Sequence, residues 1–396
     1  MANQVLTFAG QSDFSLVLGG PLYQLYLRTR LARPPLELVS RRTIAISLIC
    51  WAPPFILALV AGQVFDTVRI PFLLSLGVHT RFLLALPLLI GSEWVVHERM
   101  KSLAKQFIER GIIRSEARER FEAMIDSAMR LRNSILAEVG IALFVAAMSY
   151  WVWKDSVVLG DSSWYAVSDD RSAHLTAAGV WYAFVSLPIL RFILLRWYFR
   201  LFVWYRFLWQ VRSLPLHLNL FHPDRAGGLG FLSGSVLAFA PILVAQTVIL
   251  AGFIGDRIWH AGEHLPSFEL EILAVVIFLV LIVLAPLSFF VLRLEKAQRL
   301  ARGEYGILAS RYVNDFHRKW IEKHSAPVEP LLGTQDLQSL SDLGNAYEVV
   351  SGMRLLPFDK WAVFQLTTLV VLPLLPLILT MAPLHDLLVR LIELVF

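Results

Sequence analysis

Residues Leu270 to Val291 read LEILAVVIFLVLIVLAPLSFFV, and this stretch decides the fold. Its only charge is Glu271. A run of this length, wound as a helix, crosses about 30 Å of hydrocarbon while keeping every backbone hydrogen bond inside the segment. Six further runs have the same character: Thr43–Gly62, Gly77–Val96, Ile135–Trp153, Leu175–Leu195, Phe231–Phe253 and Trp361–Ala382. The second differs from the rest in meeting His79 and Arg81. The expected fold is therefore all-α, a polytopic membrane protein with seven transmembrane helices. Composition points the same way. Hydrophobic residues make up 57% of the 396 and charged residues 17%, against roughly 45–50% and about 25% in soluble domains. So few charges could not cover the outside of a water-soluble core of this size.

The 36 Lys and Arg residues are distributed unevenly. Five precede the first run (Arg28, Arg30, Arg33, Arg41, Arg42) and nine lie between runs two and three. Five follow run four, from Arg196 to Arg225, and ten lie between runs six and seven. The alternate loops hold only Arg69, Lys154, Arg171, Arg257 and Arg390. Basic residues are retained in the cytoplasm during insertion. The expectation is thus a cytoplasmic N-terminus, an external C-terminus and short external loops. The chain divides into a cytoplasmic or interfacial segment, 1–42, and a seven-span membrane domain, 43–396. A helical cytoplasmic layer is expected from 97–134, 196–230 and 292–360.

Within that layer Glu98–Arg110 reads as a helix stopped by Gly111, and Ser115 as the N-cap of the next. Leu294, Ala297, Ala301, Tyr305, Leu308, Tyr312, Phe316 and Trp320 recur every three or four residues, one face of a helix that prolongs run six. A break at Pro327, Pro330 and Gly333 precedes a further helix capped by Thr334. The apolar stripe must be covered, either by helices of the same chain or by a second subunit. Beyond run four, Arg196, Arg200 and Arg206 alternate with Trp197, Tyr198, Phe199, Trp204, Tyr205 and Trp209. This reads as an interfacial anchor, since aromatic rings and arginines both favour the headgroup level.

Four groups of residues are candidates for chemistry. The first is His217 with the loop His222-Pro223-Asp224-Arg225-Ala226-Gly227-Gly228-Leu229-Gly230. Its glycines permit turns that aim amides at one point, an anion nest, and Arg225 offers a clamp for phosphate or carboxylate. The alternative is a structural elbow in which Asp224 caps run five. The second group is intramembrane: Glu93, Glu138 and Arg191, paired at one level as an ion pathway or as a salt bridge locking three helices. His79 and Arg81 are candidates for an outer entrance. The last group, Gln365, Thr367 and Thr368 with Pro373 and Pro376 in run seven, suits a water-lined pore or a kinked packing helix. His260, Glu263 and His264 match a zinc-protease spacing, but Gly262 and Pro266 deny them the helix it needs. A metal site with His174 is the remainder. No cofactor, resident metal or catalytic residue is expected. One cysteine, Cys50, excludes an intramolecular disulfide.

The string His222 to Gly230 resembles one carried by a group of bacterial polytopic inner-membrane proteins. That resemblance implies a bacterial inner-membrane location and supplies no activity. The layout is also similar to the insect odorant and gustatory receptor superfamily of ligand-gated cation channels, which share a cytoplasmic N-terminus, seven spans and a helical cytoplasmic anchor. In those proteins the final span lines the pore, which implies Trp361–Ala382 here. Their Thr-Tyr…Gln-Phe signature is absent from this span, where Phe364-Gln365 comes early, so the likeness is one of layout. Three functions stay open. One is a homo-oligomeric ion channel or transport-type protein. Another is an inner-leaflet enzyme acting on a lipid or phosphorylated substrate at His217, His222, Asp224 and Arg225. The third is a sensor or scaffold that recruits a partner through its cytoplasmic helices. Expected partners are membrane lipids, further copies of the chain and an ion or small-molecule ligand, and not nucleic acid.

Overall fold

The structure, a computed structural model, describes residues 14–33, 36–65, 68, 70–156, 163–169, 172–322 and 335–381. It is all-helical apart from one short hairpin, Ala166–Asp169 paired antiparallel with Ser172–Leu175. Among the described residues six helices are long and apolar enough to cross a membrane: Val39–Val60, Ser115–Trp151, Ala177–Val211, Leu229–Ala261, Leu265–Glu322 and Lys360–Thr380. The helix over 76–109, the remaining expected span, is not among them. His79, Arg81 and Glu93 lower the hydropathy of its apolar half. The outward surface of the bundle is a belt of exposed Leu, Ile, Val, Phe and Trp, which only a hydrocarbon solvent tolerates.

Leu229–Ala261 is the central helix. Half of its most apolar window is buried, against 17–33% for the other five. It packs on the 76–109 helix and on the last helix. Close approach to the former depends on Gly252, where a Cβ would stand 1.9 Å from Thr80 Oγ1. Among the described residues three helices loosen into wider π-type turns, at Thr80–Ala85, Tyr182–Ser186 and Arg318–Glu322. The first two face each other, and Arg81 Nη1 donates to the Tyr182 hydroxyl at 2.5 Å. Such turns re-aim side chains at the cost of local hydrogen bonding.

At the end of the bundle richest in Lys and Arg, hereafter the basic end, helices run far past the apolar zone. Leu265–Glu322 spans 58 residues, or roughly 87 Å at 1.5 Å per residue. The stripe expected on it is met by the chain's own helix Gln335–Ser351. Tyr312 donates to Asp336 O, Trp320 Nε1 to Asp336 Oδ2, and Gln298 Nε2 to Met353 O. The same-chain cover therefore holds for the buried Leu294 and Ala301, whereas Leu300, Ile307, Leu308 and Val313 stay exposed.

Two local expectations are corrected. Ser115 begins its helix without a side-chain cap. The aromatic and basic stretch after run four is not a headgroup anchor throughout. Trp197, Trp204, Arg196 and Arg200 are buried, and Trp197 Nε1 donates to Leu89 O. Only the outward-facing Phe202 and Trp209 keep the exposed position. The proposed cap Thr334, the break at Pro327, Pro330 and Gly333, and the tail after Pro383 lie outside the described residues.

Candidate functional site

The densest polar site is a buried ionic knot where four helices and the N-terminal segment meet. Glu93, on the 76–109 helix, sits at its centre. Its Oε2 lies 2.5 Å from Arg42 Nη2, and its Oε1 lies 2.8 Å from Arg200 Nη2 and 3.5 Å from Arg196 Nη1. Arg196 Nε also reaches Glu138 Oε1 at 2.8 Å, joining the two carboxylates through one guanidinium. All five side chains are at most 8% exposed. Three arginines against two glutamates leave a formal charge of +1 in the knot. Arg42 is fully buried, and its contact with Glu93 is an ion pair without hydrogen-bond alignment. Its Nε and Nη1 find no acceptor among the described residues. The Tyr26 ring lies beneath it, 5.0 Å from ring centroid to Cζ, and provides partial compensation through its π face.

The N-terminal segment closes the knot. Gly19 and Gly20 adopt φ of 144° and 86°, conformations that side chains resist. A Cβ at Gly20 would stand 2.6 Å from Glu138 Oε1. This backbone delivers Gly19 O to Arg196 Nη2 at 3.2 Å and the Leu22 amide to Glu138 Oε2 at 2.8 Å. The flanking residues are held as firmly. Arg132 Nη1 donates to Ser15 O, Ser15 Oγ pairs with the buried His97, and Phe14 packs on Phe207. Burial, with Glu93 adding to it, pushes the Tyr26 hydroxyl up to about 12. It is therefore neutral at physiological pH.

Glu93 and Glu138 thus converge, and Arg191, expected with them, does not. Its Nη1 donates to Ser149 Oγ at 3.2 Å. The partners that replace it are Arg196, Arg200 and Arg42. The missed signal is spacing. At 3.6 residues per turn, positions 196 and 200 share a face, whereas 191 is turned about 140° from 196. Arg42 had counted only as one of five basic residues ahead of the first span.

The His222–Gly230 loop does form a nest of amides, and the anion in it is the loop's own carboxylate. Asp224 Oδ1 accepts from Ala226 N at 2.8 Å and Gly228 N at 3.1 Å, and Oδ2 accepts from Gly230 N at 2.8 Å. Burial pushes the Asp224 carboxyl upward, but the Ala226, Gly230 and Gly228 amides together with His222 outweigh it and hold the group below the ordinary carboxylate range. Arg225 has φ 52°, and its carbonyl accepts from Arg354 N at 2.6 Å. Arg354 Nη2 donates to Asp224 O as well. The loop therefore splints the central helix to the segment following Gln335–Ser351. Beside it lies a cleft of about 490 Å3 lined by Arg110, His217, His222, Gly227 and Gly228, with Arg114 Nη2 3.0 Å from His217 Nδ1.

His79 accepts from Trp51 Nε1 and meets Leu73 O. Asp256 accepts from the Gly77 amide at 2.9 Å on the same side of the bundle as Arg81. These outer-entrance candidates form a packed polar layer. In the last helix Gln365 and Thr368 face outward and Thr367 is half-buried. His260 meets Leu74 O, Glu263 pairs with Arg257, and the helix ends at Ala261, so the protease spacing is not formed. Among the described residues no three His, Cys, Asp or Glu side chains are grouped to hold a metal ion. Comparison with family models, curated proteins and solved structures finds no match.

Proposed function

We propose that the chain is a channel- or transport-type protein of a bacterial inner membrane, active as a homo-oligomer whose last helix borders a shared axis. In this reading there are seven spans, the 76–109 helix among them. The basic end is cytoplasmic, with the N-terminus there and the C-terminus outside. The observation that carries it is the outward strip of the last helix, where Gln365 and Thr368 stand among Trp361, Phe364 and Leu372. A carboxamide facing hydrocarbon lacks hydrogen-bond partners and costs several kcal/mol. A second copy or a wet axis supplies them. The exposed Leu300, Ile307 and Val313 of the helical extension give adjoining copies a further contact. The same three residues favour, as a second reading, a sensor or scaffold that recruits a different protein.

The sole cysteine makes the test clean. On a Cys50→Ser background, Q365C and T368C are oxidised in membrane vesicles. Disulfide-linked dimers and thiol-reagent block of ion flux in liposomes are expected. Monomers throughout, with flux indifferent to the reagent, would remove the oligomeric axis.

A further inference from the structure

A groove of about 450 Å3 opens sideways between Val39–Val60, Ile135–Ser156 and Ala177–Val211. Its walls are apolar, with Ile46, Val145, Pro188 and Ile193 among them, and its floor is Leu22 and Tyr26, just beyond the ionic knot. Ala142 and Ala146, one turn apart, leave the space. The one hydroxyl group on its wall besides that of Tyr26 is Ser149 Oγ, which is buried and already receives Arg191 Nη1.

Arg191 is the unusual group. It lies within a membrane-crossing helix, is half-buried, and has no carboxylate within ion-pair distance among the described residues. The charges near it are Arg81 and, through Arg81, Asp256. Arg81 already donates to Tyr182. Arg81 has Asp256 close by, whereas the guanidinium beside the groove has no counter-anion among the described residues. An uncompensated cation at membrane depth selects for an acidic partner.

We propose that the groove is a binding site for a long-chain fatty carboxylate, its acid group on Arg191 and Ser149 and its chain running toward Tyr26. Charge argues for an acid: one carboxylate supplies the counter-anion that Arg191 lacks among the described residues. The apolar walls take its chain. A phospholipid would have to bring its bulkier headgroup below the headgroup level to reach Arg191.

The test uses the full-length protein in mild detergent and hexadecanoic acid with a diazirine at the tail end. Photolysis is expected to label peptides containing Leu22–Tyr26 and Ala142–Ala146. Both A146F and A142F, which fill the groove from its exposed side, are expected to abolish labelling. R191Q should weaken competition by hexadecanoate about tenfold, the loss of one charge-assisted contact, and leave competition by hexadecanol unchanged. R191K should retain most of the hexadecanoate preference. Labelling that survives both filling variants overturns the site. Equal weakening of acid and alcohol in R191Q overturns the role of Arg191. Phospholipid competing as well as hexadecanoate overturns the single-chain assignment.

Discussion

Replacing Glu93 with Gln tests whether the ionic knot holds the bundle together. The substitution keeps shape and removes charge. The knot's formal charge rises from +1 to +2, and Arg42, Arg196 and Arg200 all lose their shared anion. Only Glu138 remains, and it is already taken by Arg196 Nε and the Leu22 amide. Removing one partner of a buried ion pair costs about 3–5 kcal/mol. At about 1.4 kcal/mol per factor of ten, the folded-to-unfolded ratio should fall by roughly two to three and a half orders of magnitude. The assay is unfolding in mixed micelles followed by tryptophan fluorescence, with R191Q as comparator. That variant removes no ion pair among the described residues and should shift stability by less than ~1 kcal/mol. The double variant R42M/E93Q restores the knot's original charge. It should be less destabilised than the sum of its parts by ~1 kcal/mol or more. If E93Q stays within ~1 kcal/mol of the parent, or the two substitutions simply add, the knot does not hold the helices as argued.

Other expectations concern the loop, the packing and the N-terminal segment. Asp224 has its carboxyl below its ordinary value of 3.8, so its contribution is full above that value and is lost as pH falls through the lower folded-state value. D224N should cost about 2 kcal/mol at pH 7, with faster hydrogen exchange at Ala226, Gly228 and Gly230, and the gap to the parent should close in strong acid. G252A should destabilise by ~1–3 kcal/mol, with partial recovery in G252A/T80A, measured by thermal unfolding. L16E places a charge at a fully buried position. It should release the N-terminal segment to trypsin at Arg28 and Arg30 while leaving far-ultraviolet circular dichroism nearly unchanged.

Helical class and membrane character were legible because they depend on long sums over apolar runs, which single residues barely alter. The convergence of Glu93 and Glu138 was legible too, since two acids near one end of their runs have few alternatives to pairing. Their partners were harder to find. Arg196 and Arg200 stand among aromatic residues, and composition there gives the same pattern for a headgroup anchor as for a buried strut. Rotation around the helix separates the two, and it shows in the four-residue spacing. Arg42 could not be placed from sequence, because its depth depends on how the N-terminal segment folds back. The same holds for Asp224. A glycine-rich loop announces a convergence of amides but does not say whether the anion there comes from outside or from the loop.

The seating of that N-terminal segment bears on how the protein is made. Residues 15–22 leave the ribosome long before their anchors Arg132, Glu138 and Arg196, the last of them as much as 177 positions later. At about 5–20 residues per second, the segment waits on the order of 10–35 s before its final partner exists. Through that interval Glu93 and Arg42 have only each other, and the half-built bundle carries an open acidic and basic seam. The segment thus docks only after Arg196 has emerged, while the helices from Leu229 onward are still to be made.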